Sequence, residues 1–233
     1  MTNLFKENFI LKETQCTIIS EKQNGIQTAI KSIKQTRQEL ETYIKGNPKF
    51  LYTLKPISPP EKPVVARLMA EAAGKAGVGP MAAVAGAIAD LAVEAMTNAG
   101  CEVAIVEDGG EISAQSNASI DVAVAAGEEP LSKRFGFRLT EFPIGVATSS
   151  GIFSHALSFG DAEAATVFCK NATLADAAAT AVGNVVKGEG TTAAIKAGIN
   201  AGLQIDGVEG VLIIYKGKVG MAGKIPEIIK VQT

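Results

Sequence analysis

Apolar residues between Ile26 and Tyr43 recur with helical spacing, placing Ile26, Ile30, Ile33 and Leu40 on one side of a predicted helix with a solvated opposite face. Upstream, TQCTIIS at 14–20 reads as a strand. LKPISPPEKP at 54–63 holds four prolines in ten residues, which neither a helix nor a central strand tolerates, so it is a connector. Helical patterns follow at 63–76 and 81–98, separated by the breaker GVGP, and the second stops at Asn98-Ala99-Gly100. CEVAIVEDGGEISAQ then has apolar strand residues on both sides of Asp108-Gly109-Gly110, where the glycines supply the positive φ of a tight hairpin. SIDVAVAAG reads as another strand.

A comparable order returns later: helix 173–186, breaker KGEG, helix 191–202, strand GVEGVLIIY, turn KGK and strand VGMAG. The expected fold class is therefore α+β, with two similar helix-helix-hairpin halves around a shared core. We expect one domain over 1–233, with 1–60 forming an amino-terminal strand-helix layer and 61–233 carrying the chemistry.

Composition narrows the function classes. At 233 residues the chain can bury a full core without staples. A formal net charge of −2 with scattered lysines argues against a nucleic-acid groove or a polybasic membrane patch, leaving small molecules as the expected partners. Cys16, Cys101 and Cys169 lack CxxC spacing and indicate neither a disulfide framework nor a thiolate zinc site. The charged start, MTNLFKENFILKET, does not resemble a secretory signal, and the apolar run Pro80–Met96 is broken by Asp90 and Glu94, so a cytoplasmic location without membrane insertion is expected.

Candidate chemistry centres on TLADAAATAVGNVV at 173–186. Asp176 and Thr180, at i and i+4 of an alanine-rich helix, set two hard oxygens on one face, a pairing suited to Mg²⁺. The competing reading makes Asp176 a helix-terminal acid and Thr173 the N-cap. GVATSSG at 145–151 is a short strand entering a hydroxyl-rich glycine turn, where backbone amides with Thr148, Ser149 and Ser150 would cradle phosphate or simply form a polar loop.

The order of four motifs resembles the ApbE superfamily: Gly86-Ala-Ile-Ala-Asp90, Asp108-Gly109-Gly110-Glu111-Ile112, Ala147-Thr148-Ser149-Ser150-Gly151, and Ala175-Asp176-Ala-Ala-Ala-Thr180-Ala181. Its FAD:protein FMN transferases carry, in the same order, a glycine with an aspartate four residues on, a GG-acid-I turn, a TSG turn and an ADALAT helix. The resemblance implies Mg²⁺ held by Asp176, Thr180 and a backbone carbonyl near Ala82, with FAD or FMN contacted by Gly86, Asp90, Gly109, Gly110, Glu111, Thr148, Ser149, Ser150 and Gly151. It also implies a protein acceptor. Two places depart from the transferases: Ala85 stands where they have lysine, and HxxDPxTG survives only as His155-Ala-Leu-Ser-Phe-Gly160.

His155, the one histidine, is a candidate general base or phosphate contact with Asp161 and Glu163 close in sequence. Three functions compete: a Mg²⁺-dependent enzyme transferring FMN or splitting FAD, a non-catalytic flavin-binding protein, and a hydrolase using Ser150 and His155. Ala- and Gly-rich helices and a terminal hairpin offer a surface for homo-oligomerisation.

Overall fold

The computed structural model describes residues 4–123, 135–150 and 160–230. An amino-terminal hairpin pairs β1 (Phe5–Leu11) with β2 (Thr14–Ser20). Helices α1 (Gln23–Gly46), α2 (Pro48–Tyr52), α3 (Val64–Ala76) and α4 (Val84–Asn98) follow, with a 3-10 turn at Pro80–Ala83 leading into α4. Then come the hairpin β3 (Ala104–Asp108) and β4 (Glu111–Gln115), β5 (Ile120–Ala123), β6 (Phe135–Leu139), β7 (Ile144–Ser149) and β8 (Ala164–Cys169). The chain continues through α5 (Ala172–Val185), α6 (Thr191–Leu203), the hairpin β9 (Val208–Tyr215) and β10 (Lys218–Gly223), and β11 (Glu227–Lys230).

Eight strands form one antiparallel sheet in the order β1-β2-β3-β4-β7-β8-β9-β10, and β11-β6-β5 form a second, three-stranded sheet. The alternation of strand side chains gives the large sheet two buried faces. Ala147, Ala165, Val211 and Ile213 pack against the helices, while Ile112, Val146, Leu212 and Ile214 pack with Phe137 and Leu139 of the small sheet. The small residues sit on the helix side, so helices approach closely there. The mixed helix and strand content agrees with the expected α+β class.

One expectation changes and two elements are defined further. The charged start FKENFIL is an edge strand, where Lys6 and Glu7 are tolerated because one side of the ladder is open. The N-cap of α5 is Asn171, whose Oδ1 accepts the Leu174 amide at 2.8 Å, and not Thr173, which already lies in the first turn. The apolar run is 19 residues, Pro80–Asn98, long and apolar enough by composition to cross a membrane; half of its most apolar window is buried in the protein.

Two glycines set the helices against each other and against the sheet. A Cβ on Gly86 would lie 2.3 Å from the Ala172 carbonyl oxygen, so only glycine lets α4 meet the start of α5. A Cβ on Gly145 would lie 2.0 Å from the Asn171 carbonyl carbon, which seats the start of α5 directly on β7.

Candidate functional site

At the Gly86 crossing each helix supplies the acid that the other helix end needs. Asp90 of α4 accepts the Ala172 amide at 2.9 Å on Oδ1, and the Thr173 amide at 2.8 Å and hydroxyl at 2.6 Å on Oδ2. Asp176 of α5 accepts the Gly86 amide at 3.0 Å and also the Ala85 amide. A helix N-terminus has unpaired amides and partial positive charge, so both carboxylates are well placed.

The two differ in what remains unspent. Both oxygens of Asp90 are engaged with α5. The Asp176 carboxyl is pushed up to about 7 by burial, opposed by the Gly86 and Ala85 amides and raised further by the neighbouring charges of Asp108 and Asp90. Two helix amides do not compensate its desolvation.

The hairpin turn supplies the acids around it. Gly109 and Gly110 have φ of 69° and 116°, as a two-residue turn requires, and Asp108 and Glu111 face each other across it. Asp108 is buried and accepts the Gln15 amide at 3.0 Å; burial is the main cause of its raised pKa. Glu111 titrates well above the usual carboxylate range because of burial and the charges of Asp176 and Asp108. Close carboxylates cannot all ionise cheaply, so this corner calls for a proton or a cation. Asp108 is a member of the group that sequence reasoning placed only in the turn.

The hydroxyl turn divides differently from expectation. Thr148 and Ser149 are the last residues of β7, paired with Thr166 and Ala165, so the loop begins only at Ser150. Strand alternation sends their side chains to opposite faces. Ser149 shares the helix face with Ala147 and Gly145. The Thr148 hydroxyl meets that of Thr166 at 2.9 Å on the face toward the small sheet. Thr148 therefore does not share a face with Asp176.

Gly109, Gly110, Thr148 and Thr166 do line one cavity of about 410 Å³ between the two sheets, walled by apolar residues including Ile112 and Phe137. The hairpin turn thus borders two compartments, an acidic one on the helix side and, on the other, one of mostly apolar lining with a threonine pair and the charged Lys6, Glu107 and Asp121.

Ala82 lies in the 3-10 turn just before the α4 amides that hold Asp176, and Thr180 stands one helical turn beyond Asp176; both are partly buried. Ser150 is buried just past the end of β7. Gly151 and His155 fall outside the described residues. All three cysteines are free and buried, and burial with the adjacent Asp108 pushes the Cys16 thiol up, away from nucleophile chemistry.

The donor set suits Mg²⁺. Among the described residues no three His, Cys, Asp or Glu side chains gather closely enough to cage an ion. Mg²⁺ does not need such a cage: it favours one or two carboxylates, other hard oxygens, and phosphate or water for the rest. Asp176, the Thr180 hydroxyl and the Ala82 carbonyl are of that kind, and the elevated Asp176 carboxyl marks unmet demand for positive charge.

Comparison with known proteins bears on the fold and the family. A family model described as AbpE bacteria matches residues 7–219. A UPF0280 protein of Methanosarcina acetivorans is 42% identical over 230 residues, spanning 97% of this chain and 90% of the relative. Another, from Methanocaldococcus jannaschii, is 38% identical over 231 residues, spanning 97% and 93%. Among solved structures, the apo flavinyl transferase ApbE of Pseudomonas stutzeri superposes with a TM-score of 0.61 at 14% identity, covering 94% of each chain. The flavin transferase ApbE of Vibrio cholerae gives 0.59 at 13%, covering 95% of this chain and 97% of its own. Sequence identity this low speaks to the fold alone, but with the family match it leads to one conclusion: the chain belongs to the UPF0280 family, within the ApbE-like superfamily.

Proposed function

We propose that this protein binds a flavin nucleotide, FAD or FMN, together with Mg²⁺ at the β3–β4 turn, and transfers FMN to a protein acceptor or cleaves the FAD pyrophosphate. One observation carries the reading. The Asp176 carboxylate, fixed by the α4 amides and crowded by Asp108 and Glu111, adjoins a glycine turn that also lines a largely apolar cavity of about 410 Å³. A flavin nucleotide has the matching halves, an apolar ring system and an anionic phosphate chain.

In this reading the Gly86 and Ala85 amides orient Asp176, which holds the ion with Thr180 and the Ala82 carbonyl. Bound Mg²⁺ supplies Lewis-acid polarisation of a phosphoryl oxygen. Gly109 and Gly110 let the backbone pass close to the ligand, and Ser149 is a hydroxyl donor of the helix face, with Ser150 just past the strand end. Glu111, whose raised pKa keeps a proton available, can donate to an oxygen of the phosphate chain.

A second reading, flavin binding without turnover, is favoured by one feature. At the place of the transferases' lysine stands Ala85, and its amide serves only to hold Asp176. Mass spectrometry of ligand released from gently purified protein tests the shared part of both readings, and steady turnover of FAD separates them. Calorimetry showing no binding of FAD or FMN, with or without Mg²⁺, overturns both.

A further inference from the structure

Glu107 stands inside β3, and its place in the ladder fixes the face that it presents. It pairs with Thr17 of β2 on one side and with Ile112 of β4 on the other, and residues paired across an antiparallel ladder share a face. Ile112 packs with Phe137 and Leu139, so this face looks onto the small sheet. Glu107, Thr17 and Ile112 accordingly line the same inter-sheet cavity of about 410 Å³.

The acid is held there but not used up. Its Oε1 accepts the Gly110 amide at 3.1 Å, which ties the side chain to the glycine turn. Its Oε2 has no hydrogen-bond partner among the described residues and is not enclosed, the residue being half-buried at the cavity wall.

The other polar side chains of the cavity are placed differently. Asp121 is held by Arg138 through both carboxylate oxygens, each at 2.9 Å. The Thr17 hydroxyl donates to Asn8 at 3.3 Å, and the Thr148 and Thr166 hydroxyls meet each other at 2.9 Å. Lys6 lines the same mouth and, among the described residues, forms no ion pair with Glu107. Of the two acids lining the cavity, Glu107 is therefore the one with an oxygen that accepts nothing.

A half-buried carboxylate against an apolar wall favours a ligand that brings an N–H or O–H donor on an otherwise apolar body. The assignment that follows rests on the flavin-nucleotide reading above. Among the nitrogens of the oxidised isoalloxazine ring only N3 carries a hydrogen. We propose that Glu107 is a ligand-contacting residue that determines specificity, its Oε2 accepting a hydrogen bond from the flavin N3–H while Ile112, Phe137 and Val146 cover the ring. From β3 across β4 to β7 the face is two strand spacings wide, about 10 Å, which suits a fused three-ring system.

The test titrates wild type and Glu107→Gln with whichever of FMN and FAD wild type binds and with the N3-methyl derivative of that flavin, and records Tm for each protein. Gln has one oxygen and one amide donor, so it meets either the Gly110 amide or N3–H and not both. In wild type, N3-methylation should cost about tenfold or more in affinity, the worth of a hydrogen bond to a charged acceptor. In Glu107→Gln the parent flavin should lose affinity by a similar factor and methylation should cost much less, because two changes to one contact are not additive. No cost of methylation in wild type, or the same cost in both proteins, overturns the role of Glu107 and leaves the flavin reading standing. Wild type binding neither FMN nor FAD overturns both. Should Glu107→Gln not fold, Glu107→Asp, which keeps the charge but withdraws the oxygen by one carbon, completes the same cycle with the same two outcomes.

Discussion

Asp90 and Asp176 cap each other's helices: the carboxylate on α4 closes the N-terminus of α5, and the carboxylate on α5 closes the N-terminus of α4. The exchange is unequal. Asp90 spends both oxygens and a third bond on Thr173, whereas Asp176 is left with a carboxyl that titrates near neutrality. The first is a structural fastening, and the second keeps capacity for a further partner.

Asp90→Ala removes two acceptor oxygens, and with them three hydrogen bonds, from the start of α5. We expect a loss of about 2–3 kcal/mol, combining a lost cap with buried amides left unpaired, and a fall in Tm of about 4–12 °C. Thermal denaturation checks it. Mg²⁺-dependent nucleotide binding measured below the lowered Tm should survive, because both Asp90 oxygens are spent on the start of α5.

Asp176→Asn keeps an acceptor for the Gly86 amide and removes the charge. The coupling between Mg²⁺ and nucleotide affinity should vanish while Tm stays close to wild type. Coupling is reciprocal, so calorimetric titration of either species in the presence of the other reads it. Coupling that survives, with only Tm altered, would make Asp176 a helix-terminal acid and nothing more. Thr180→Val should weaken the same coupling less, since a hydroxyl contributes no charge.

The pH dependence has a defined sign. The Asp176 pKa rises from an ordinary 3.8 to about 7 in the folded protein, so between these values the native state holds a proton that the unfolded chain has released. Its contribution to stability is complete below the lower value and is lost as pH rises through the upper one. Metal-free protein should therefore show a Tm that falls between about pH 5 and pH 8, more steeply than in Asp176→Asn. Glu111, shifted in the same direction, adds to the slope. Mg²⁺ should raise Tm more at the alkaline end, where the carboxylate is free to bind it.

Thr148→Val deletes a hydroxyl on the face toward the small sheet. Flavin affinity should drop several-fold, within the usual range for one neutral hydrogen bond, and the Mg²⁺ coupling should persist. Loss of both together would show that Thr148 and Asp176 act in one compartment, contrary to the strand alternation.

Much of this arrangement was legible in the sequence, and for definite reasons. Asp108-Gly109-Gly110 announces its turn because both glycines are needed at positive φ, and helix 173–186 announces itself by alanine content and period. The separation of Thr148 from Ser149 was legible in principle: alternation follows at once when the strand is known to run to Ser149 rather than stop before the hydroxyls. Asn171 was likewise visible as a good cap one residue ahead of the helix. What no local pattern carries is the use of Asp90. Its partners lie 82 and 83 residues away, and only the Gly86–Ala172 contact brings them within reach.

The small sheet places a constraint on the order of assembly. Its middle strand, β6, is flanked by β5, from just upstream, and by β11, with Phe135 pairing with Lys230. A ribosome that has released β5 and β6 must still thread the second helix pair and the β9–β10 hairpin before β11 arrives. The ordering entropy of that long loop is met late, and contacts so far apart in sequence slow folding. The wall opposite the threonine pair is therefore finished only after the acidic corner between α4 and α5 has all of its residues.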